Sequence, residues 1–184
     1  MLKSGKKILS LILSVCMLIC LIPTAVFAAD SGSYMKIAML DCGRKYFTVD
    51  WVKSLIYEAK ADGFTHVMLA VGNDGMRFLL DDMSLTVGSK TYSSEAVKVA
   101  VISGNNSYTT ASTGEWTESE MNEIFSAAAS SGIEIIPLLN TPGHMDAILS
   151  AATSLTGTNC SYNGSVRTID VTNSTAVAFS QAFV

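Results

Sequence analysis

The stretch EIIPLLNTPGHMD, Glu134 to Asp146, changes character halfway along its length. Its first half is a short apolar run typical of a buried β-strand, and its second half is rich in residues that favour turns. One of the two histidines of the chain, His144, follows directly after a Pro-Gly pair. In parallel α/β folds the polar site residues follow the carboxyl ends of strands, so the stretch predicts such a fold.

Two earlier runs have the same apolar character. They are KIAML, Lys36–Leu40, and THVMLAV, Thr65–Val71, and both predict buried strands. A helix is predicted between them, because Thr48 can cap it, apolar residues follow at helical spacing and Gly63 ends the pattern.

The third strand is also preceded by a predicted helix. It begins with the capping box Thr117-Glu118-Ser119-Glu120 and ends at Gly132. Asn173 can cap a last helix that continues to the end of the sequence. We expect Trp51 and Trp116, which lie at or just before helix starts, to pack their helices against the sheet.

Strands that alternate with helices and are apolar on both faces indicate a parallel sheet covered by helices. The open choice is between a doubly wound sheet and a (β/α)8 barrel. The turn Asp41-Cys42-Gly43-Arg44 lacks the spaced glycines of a dinucleotide fingerprint, which weakens the doubly wound alternative. The polar segment Gly72–Glu115 is predicted to be an elaborated loop with one short helix, Ser94–Ile102.

The first 28 residues predict a secretory signal. Lysines precede an apolar run, Ile8–Ile22, and Ala28 offers a cleavage site. A retained membrane anchor is the alternative, but the run has only about 15 residues where a spanning helix needs roughly 20. One domain over residues 29–184 is therefore expected, in a secreted or cell-surface protein.

Composition narrows the classes of partner. The net charge is −4 with no basic patch, which argues against nucleic acid, and no nucleotide motif occurs. No HExxH, CxxC or GxSxG motif is present, so no metal or cofactor is predicted. Beyond the leader only Cys42 and Cys160 remain; they could pair in an oxidising compartment, but we favour two separate buried thiols.

The carboxyl ends of the three predicted strands supply the candidate site residues, because these ends meet at one edge of a parallel sheet. In chain order the candidates are Asp41, Arg44, Asn73, Asp74, Arg77, Asn140, His144 and Asp146.

Each candidate also has a structural interpretation. Arg44 could form a surface ion pair, and Asn73-Asp74-Gly75 is a common turn tripeptide. His144 could cap a short helix, Met145–Ala152. His66 lies at the opposite end of its strand and is expected to be structural.

Three motifs together resemble the first third of the catalytic barrel of glycoside hydrolase family 20. They are DCGRKYFT after the first strand, VGNDGMRFLLDDMS after the second and GIEIIPLLNTPGHMDAIL around the third. Within the family they are most similar to the surface exo-β-N-acetylglucosaminidases of Gram-positive bacteria and then to the lacto-N-biosidases.

The resemblance implies a (β/α)8 barrel that removes terminal β-linked N-acetylhexosamine from glycans by substrate-assisted catalysis, in which the sugar's acetamide oxygen attacks its own anomeric carbon. It implies that Arg44 donates hydrogen bonds to hydroxyls of the terminal sugar. His144 would lie beside the −1 pocket and support the acid, and Asn73 and Asp74 would shape the pocket wall.

The sequence also departs from the family pattern. Gly72 stands where an Asp is common, and Pro137-Leu138-Leu139-Asn140 stands where Pro-Glu-x-Asp is common. The adjacent Asp-Glu pair that performs the chemistry in the family occurs nowhere in the sequence. The expectation is an incomplete barrel of about the first three βα units, inactive by itself; a lacto-N-biosidase fragment or a non-catalytic carbohydrate-binding remnant are the alternatives.

Overall fold

The structure, a computed structural model that describes residues 34–109 and 113–184, contains both strands and helices. In chain order the elements are β1 (Ile37–Asp41), α1 (Val49–Ala61), β2 (His66–Asn73), β3 (Gly75–Met76), β4 (Phe78–Leu79), β5 (Leu85–Val87), β6 (Lys90–Tyr92), α2 (Ser94–Tyr108), β7 (Trp116–Thr117), α3 (Glu118–Ser131), β8 (Glu134–Leu139), α4 (Asp146–Thr156) and α5 (Ser174–Phe183). The predicted leader, residues 1–28, lies outside the described residues.

The central sheet is parallel, as predicted. β1 and β8 both pair in parallel with β2, which lies between them, and β3 adds a short antiparallel pairing at the end of β2. In this register Met39 lies beside Met68, and Met68 beside Ile136. All three carboxyl ends therefore meet at one edge of the sheet.

The predicted helix signals are confirmed by their hydrogen bonds. Thr48 caps α1, and the reciprocal capping box of Thr117 and Glu120 begins α3. Gly132 ends α3 at φ 66°, a left-handed conformation that glycine adopts without steric cost. Asn173 caps α5 by accepting two backbone hydrogen bonds.

The segment Gly72–Glu115 is more ordered than the predicted loop. It contains the antiparallel pair of β5 and β6, and the predicted short helix is the 15-residue α2. The sequence Gly104-Asn105 looks like a helix stop, but the side chain of Asn105 hydrogen-bonds to Met76 and the helix continues. A partner 29 residues away overrides the local propensity.

The two tryptophans behave differently. Trp116 is fully buried, and its Nε1 donates to the carbonyl oxygen of Phe47 at 2.8 Å, as expected for a packing residue. The prediction for Trp51 is wrong, since 46% of it is exposed and it stacks on Phe47 instead. Val52 and Ile56 occupy the buried face of α1.

The two faces of the sheet differ in burial. On one face α1 and α3 pack on Val67 and Leu69, which are fully buried. On the other face Ile37 and Met39 are 40% and 59% exposed. None of the helices that the structure describes is both long and apolar enough to cross a membrane.

Both cysteines of the described chain are buried free thiols, which confirms the favoured interpretation. Burial, with a smaller contribution from Asp41, raises the pKa of Cys42 to about 12. Its thiol is therefore a packing group rather than a nucleophile.

Candidate functional site

A ladder of side chains joins the carboxyl ends of the three parallel strands. Asn140 Nδ2 donates to Asn73 Oδ1 at 2.7 Å, and Asn73 Nδ2 donates to Asp41 Oδ2 at 2.7 Å. Asn73 is buried, at the end of β2, between its two partners. Because the Asn73 amide both accepts and donates, the ladder links the three loops that follow the strands.

Arg44, Asp74 and His144 form a cluster above this ladder. Arg44 Nε donates to Asp74 Oδ2 at 2.8 Å, and His144 Nδ1 lies 2.9 Å from Asp74 Oδ1. Arg44 also approaches Asp41, with 3.5 Å between Nη1 and Oδ2. The Asp74 side chain is buried, whereas those of Arg44 and His144 are about half exposed. One buried carboxylate thus orients two exposed nitrogen-bearing side chains.

The backbone of the cluster is held in an unusual conformation. Asp74 and His144 have φ of 63° and 56°, and they are the residues other than glycine with positive φ in the described chain. Such a conformation costs about 1–3 kcal/mol per residue and clusters at functional sites. Asp74 N donates to His144 O at 2.6 Å, and Ala147 N donates to Asp74 O at 2.8 Å. These reciprocal bonds stabilise both strained turns.

The protonation of the cluster follows from its hydrogen bonds. Burial opposes ionisation of Asp74, but hydrogen bonds from Arg44 and His144 outweigh it, so the pKa of Asp74 lies below its usual range. An ionised Asp74 only accepts, so Nδ1 of His144 carries the hydrogen. The 3.3 Å approach of Arg44 Nη2 to Nδ1 is then a contact rather than a hydrogen bond, and Nε2 of the imidazole stays available.

Three further residues adjoin this cluster. Asp146, in the first turn of α4, interacts through its side chain with Asp74. Arg167 Nε is 3.6 Å from Asp146 Oδ1, and Arg167 O accepts from Met145 N at 3.0 Å. Tyr108, at the end of α2, also interacts with Asp74. Sequence reasoning missed Tyr108 and Arg167, because no local signal marks a contact across so many intervening residues.

Arg77 was predicted for the rim, and this is wrong: it is 1% exposed and lies beneath the rim. Its Nε donates to Gly43 O at 3.2 Å and its Nη1 to Gly114 O at 3.3 Å, with Glu115 Oε1 3.5 Å away. Burial lowers the pKa of Arg77, and the Glu115 carboxylate opposes this. Arg77 therefore supports the loop that carries Arg44 rather than facing solvent.

His66 lies at the first residue of β2, away from the site, and its Nε2 is 3.1 Å from Glu134 Oε2, as expected for a structural histidine. His144 does not cap α4: the cap position is Met145, which makes no side-chain cap bond. Within 34–109 and 113–184 no three His, Cys, Asp or Glu side chains are grouped as metal ligands.

A parallel α/β sheet with polar side chains gathered at its carboxyl edge is the architecture on which barrel enzymes build their sites. The chain belongs to glycosyl hydrolase family 20, since the catalytic-domain model of that family matches residues 36–182.

Solved structures agree with the family assignment. The tandem family 20 catalytic modules of the pneumococcal exo-β-D-N-acetylglucosaminidase StrH are similar, with 40% identity, a TM-score of 0.77 and coverage of 81% of this chain and 37% of that one. The β-N-acetylhexosaminidase of Streptomyces coelicolor A3(2) is 25% identical over 80% of this chain and 28% of its own, with a TM-score of 0.55. The chain thus spans less than two fifths of the StrH structure.

Proposed function

We propose that residues 29–184 form the first part of the catalytic barrel of a β-N-acetylhexosaminidase, which removes terminal β-linked N-acetylglucosamine or N-acetylgalactosamine from glycans. Family membership and the 40% identity to StrH support the reaction class. The observation that carries the proposal for this chain is the half-exposed Arg44, held by the buried Asp74 beside His144.

Arg44 is the sugar-binding residue in this proposal. The Nε–H group of Arg44 donates to Asp74, so the remaining guanidinium N–H groups can donate to neighbouring hydroxyls of one sugar ring. A hydrogen bond to a charged group contributes about 1.5–3 kcal/mol, and the Asp74 contact reduces the entropy lost when the sugar binds. In this proposal the buried Asn73 and Asp74 support the pocket wall.

His144 supports proton transfer in this proposal. Its Nδ1–H donates to Asp74, which fixes the ring orientation and directs Nε2 away from the buried carboxylate. A neighbouring carboxylic acid that protonates the leaving oxygen would use Nε2 as its hydrogen-bond partner. The sequence contains no adjacent Asp-Glu pair, so that acid and the acetamide-orienting aspartate belong to a further strand of the complete barrel.

The acetamide of the substrate is the nucleophile in the proposed route. The predicted signal at residues 1–28 further supports a secreted or cell-surface location, where glycans are accessible. A lacto-N-biosidase specificity is the second candidate, because the same strand-end motifs resemble both groups.

The test uses the protein that carries the complete barrel. We expect it to release p-nitrophenol from the β-N-acetylglucosaminide and not from the β-glucoside, which lacks the acetamide. The N-trifluoroacetyl substrate should react more slowly, because its carbonyl oxygen is a weaker nucleophile. Equal rates on the acetyl and trifluoroacetyl substrates would contradict the substrate-assisted route, and cleavage of the lacto-N-bioside alone would establish the second candidate.

Residues 29–184 expressed alone provide the complementary measurement. We expect no p-nitrophenol release from them, because they contain no Asp-Glu pair. Turnover by this shorter chain would overturn the assignment of the acid to another strand.

A further inference from the structure

One oxygen of the Asp146 carboxyl is buried and lacks a hydrogen-bond donor. Its Oδ2 is buried without a hydrogen-bond partner, while Oδ1 lies 3.6 Å from Arg167 Nε. The Asp146 side chain interacts with the carboxylate of Asp74, which can only accept hydrogen bonds when ionised. Two ionised carboxylates in this position would repel each other and leave a buried charge unsatisfied.

We propose that Asp146 is a positioning residue of the site. It carries a proton on Oδ2, and this O–H group donates a hydrogen bond to Asp74, while Asp74 orients Arg44 and His144. The inference rests on the proposed function, since it concerns the same sugar-binding cluster. One proton on Asp146 removes the repulsion and supplies the missing donor. Asp74 then accepts hydrogen bonds from Arg44, His144 and Asp146.

The charged groups around the pair decide which carboxyl holds the proton. Arg44 and His144 both donate to Asp74 and lower its pKa against the effect of burial. Burial first, and then Asp74, raise the pKa of Asp146; the half-exposed Arg167 and a backbone hydrogen bond oppose this shift. Tyr108 faces the same carboxylate of Asp74 and is an O–H donor in its neutral form. The proton therefore belongs to Asp146.

The cleft beside Asp146 gives the proton a route to solvent. This cleft has a volume of about 510 Å³ and is lined by Asp146 and Tyr108, by serine and threonine residues and by the apolar Leu149 and Val166. When Asp146 loses its proton, the ionised side chain is repelled by Asp74 and attracted by Arg167. Asp74 then loses one of its supports, and the orientation of Arg44 loosens.

Carboxyl NMR of the complete protein with [4-¹³C]aspartate tests the protonation directly. Asp146→Asn assigns the Asp146 resonance by removing it. We expect this resonance to titrate above the usual aspartate value of about 3.9, and a midpoint at or below that value overturns the proposal. This measurement requires no turnover, so its outcome is separate from that of the proposed function.

Kinetics on the p-nitrophenyl N-acetylglucosaminide test the positioning role. Asp146→Asn keeps an N–H donor and should leave KM within about twofold of wild type at acidic pH, whereas Asp146→Ala should raise KM roughly tenfold. The KM of wild type should also rise as Asp146 ionises, and that of Asp146→Asn should not. Asp50→Asn, on an exposed side chain, is the matched control. Equal KM for the Asn and Ala variants would overturn the positioning role.

Discussion

In the proposed function, Arg44 is the residue on which substrate binding depends most. Arg44→Lys keeps the positive charge but loses the planar fork that reaches Asp74 and a sugar together. We expect kcat/KM of the complete enzyme to fall about 30- to 150-fold, which corresponds to about 2–3 kcal/mol of transition-state stabilisation. Steady-state kinetics on the p-nitrophenyl N-acetylglucosaminide measure this.

Lys45→Ala is the control for Arg44→Lys, because Lys45 is the adjacent basic residue and its Nζ lies over the Phe47 ring, 5.2 Å from the ring centre. Its kcat/KM should stay within about twofold of wild type. A Lys45 variant as impaired as the Arg44 variant would indicate a general effect of charge and not recognition by the guanidinium.

Asp74 makes the stability of the site depend on pH. The pKa of Asp74 is lowered in the folded protein, so its contribution is present above the ordinary aspartate pKa and is lost as pH falls through the folded value. Asp74→Asn should therefore cost about 1–3 kcal/mol at pH 7, a range that allows for the half-exposed Arg44 partner.

The measurement for Asp74→Asn is urea unfolding of the complete protein at pH 7 and at pH 3. The free energies of unfolding of Asp74→Asn and wild type should differ less at pH 3 than at pH 7. Asp50→Asn, on an exposed side chain, should differ little from wild type at either pH. A gap for Asp74→Asn that does not change with pH would refute the electrostatic explanation.

At the scale of elements, the side chain of Asn105 links α2 to β3 by hydrogen bonds. Its Oδ1 accepts from Met76 N at 2.7 Å, and its Nδ2 donates to Met76 O and to Glu115 Oε1. Asn105→Ala leaves these groups buried without partners and should cost about 2–4 kcal/mol. Chemical denaturation of the complete protein measures the loss. Asn106→Ala, one position along on the exposed side, should change stability by less than about 0.5 kcal/mol; equal losses would contradict the anchoring role.

The elements also show how far the sequence predicts this structure. The parallel strands and the caps at Thr48, Thr117 and Asn173 follow from local chemistry, and all of them are present. Arg44, Asp74 and His144 could be brought together in prediction because the carboxyl ends of parallel strands share an edge. The burial of Arg77 and the full length of α2 depend on partners far along the chain, which periodicity does not reveal.

At the scale of the whole molecule, the central sheet has one covered face and one open face within the described residues. On the open face Ile37 and Met39 are exposed beside Met68, and β1 and β8 each pair with β2 alone among the strands of residues 34–109 and 113–184. A barrel buries this face and pairs these edges. Residues 29–184 expressed alone should therefore aggregate or remain molten, with strong binding of a hydrophobic dye and no sharp unfolding transition.

The open face makes this last prediction specific to particular side chains. Replacing Ile37 and Met39 together by threonine should lower dye binding and aggregation of residues 29–184, because both exposed apolar groups are removed. Val99→Thr is the control, since Val99 is similarly exposed but lies on α2, away from the sheet. In the complete barrel the double substitution should instead be harmful, because it places hydroxyls in an apolar interior. Val99→Thr should stay nearly neutral there. A monomer of residues 29–184 that unfolds cooperatively without binding dye would show that three parallel strands and their helices suffice for a stable domain.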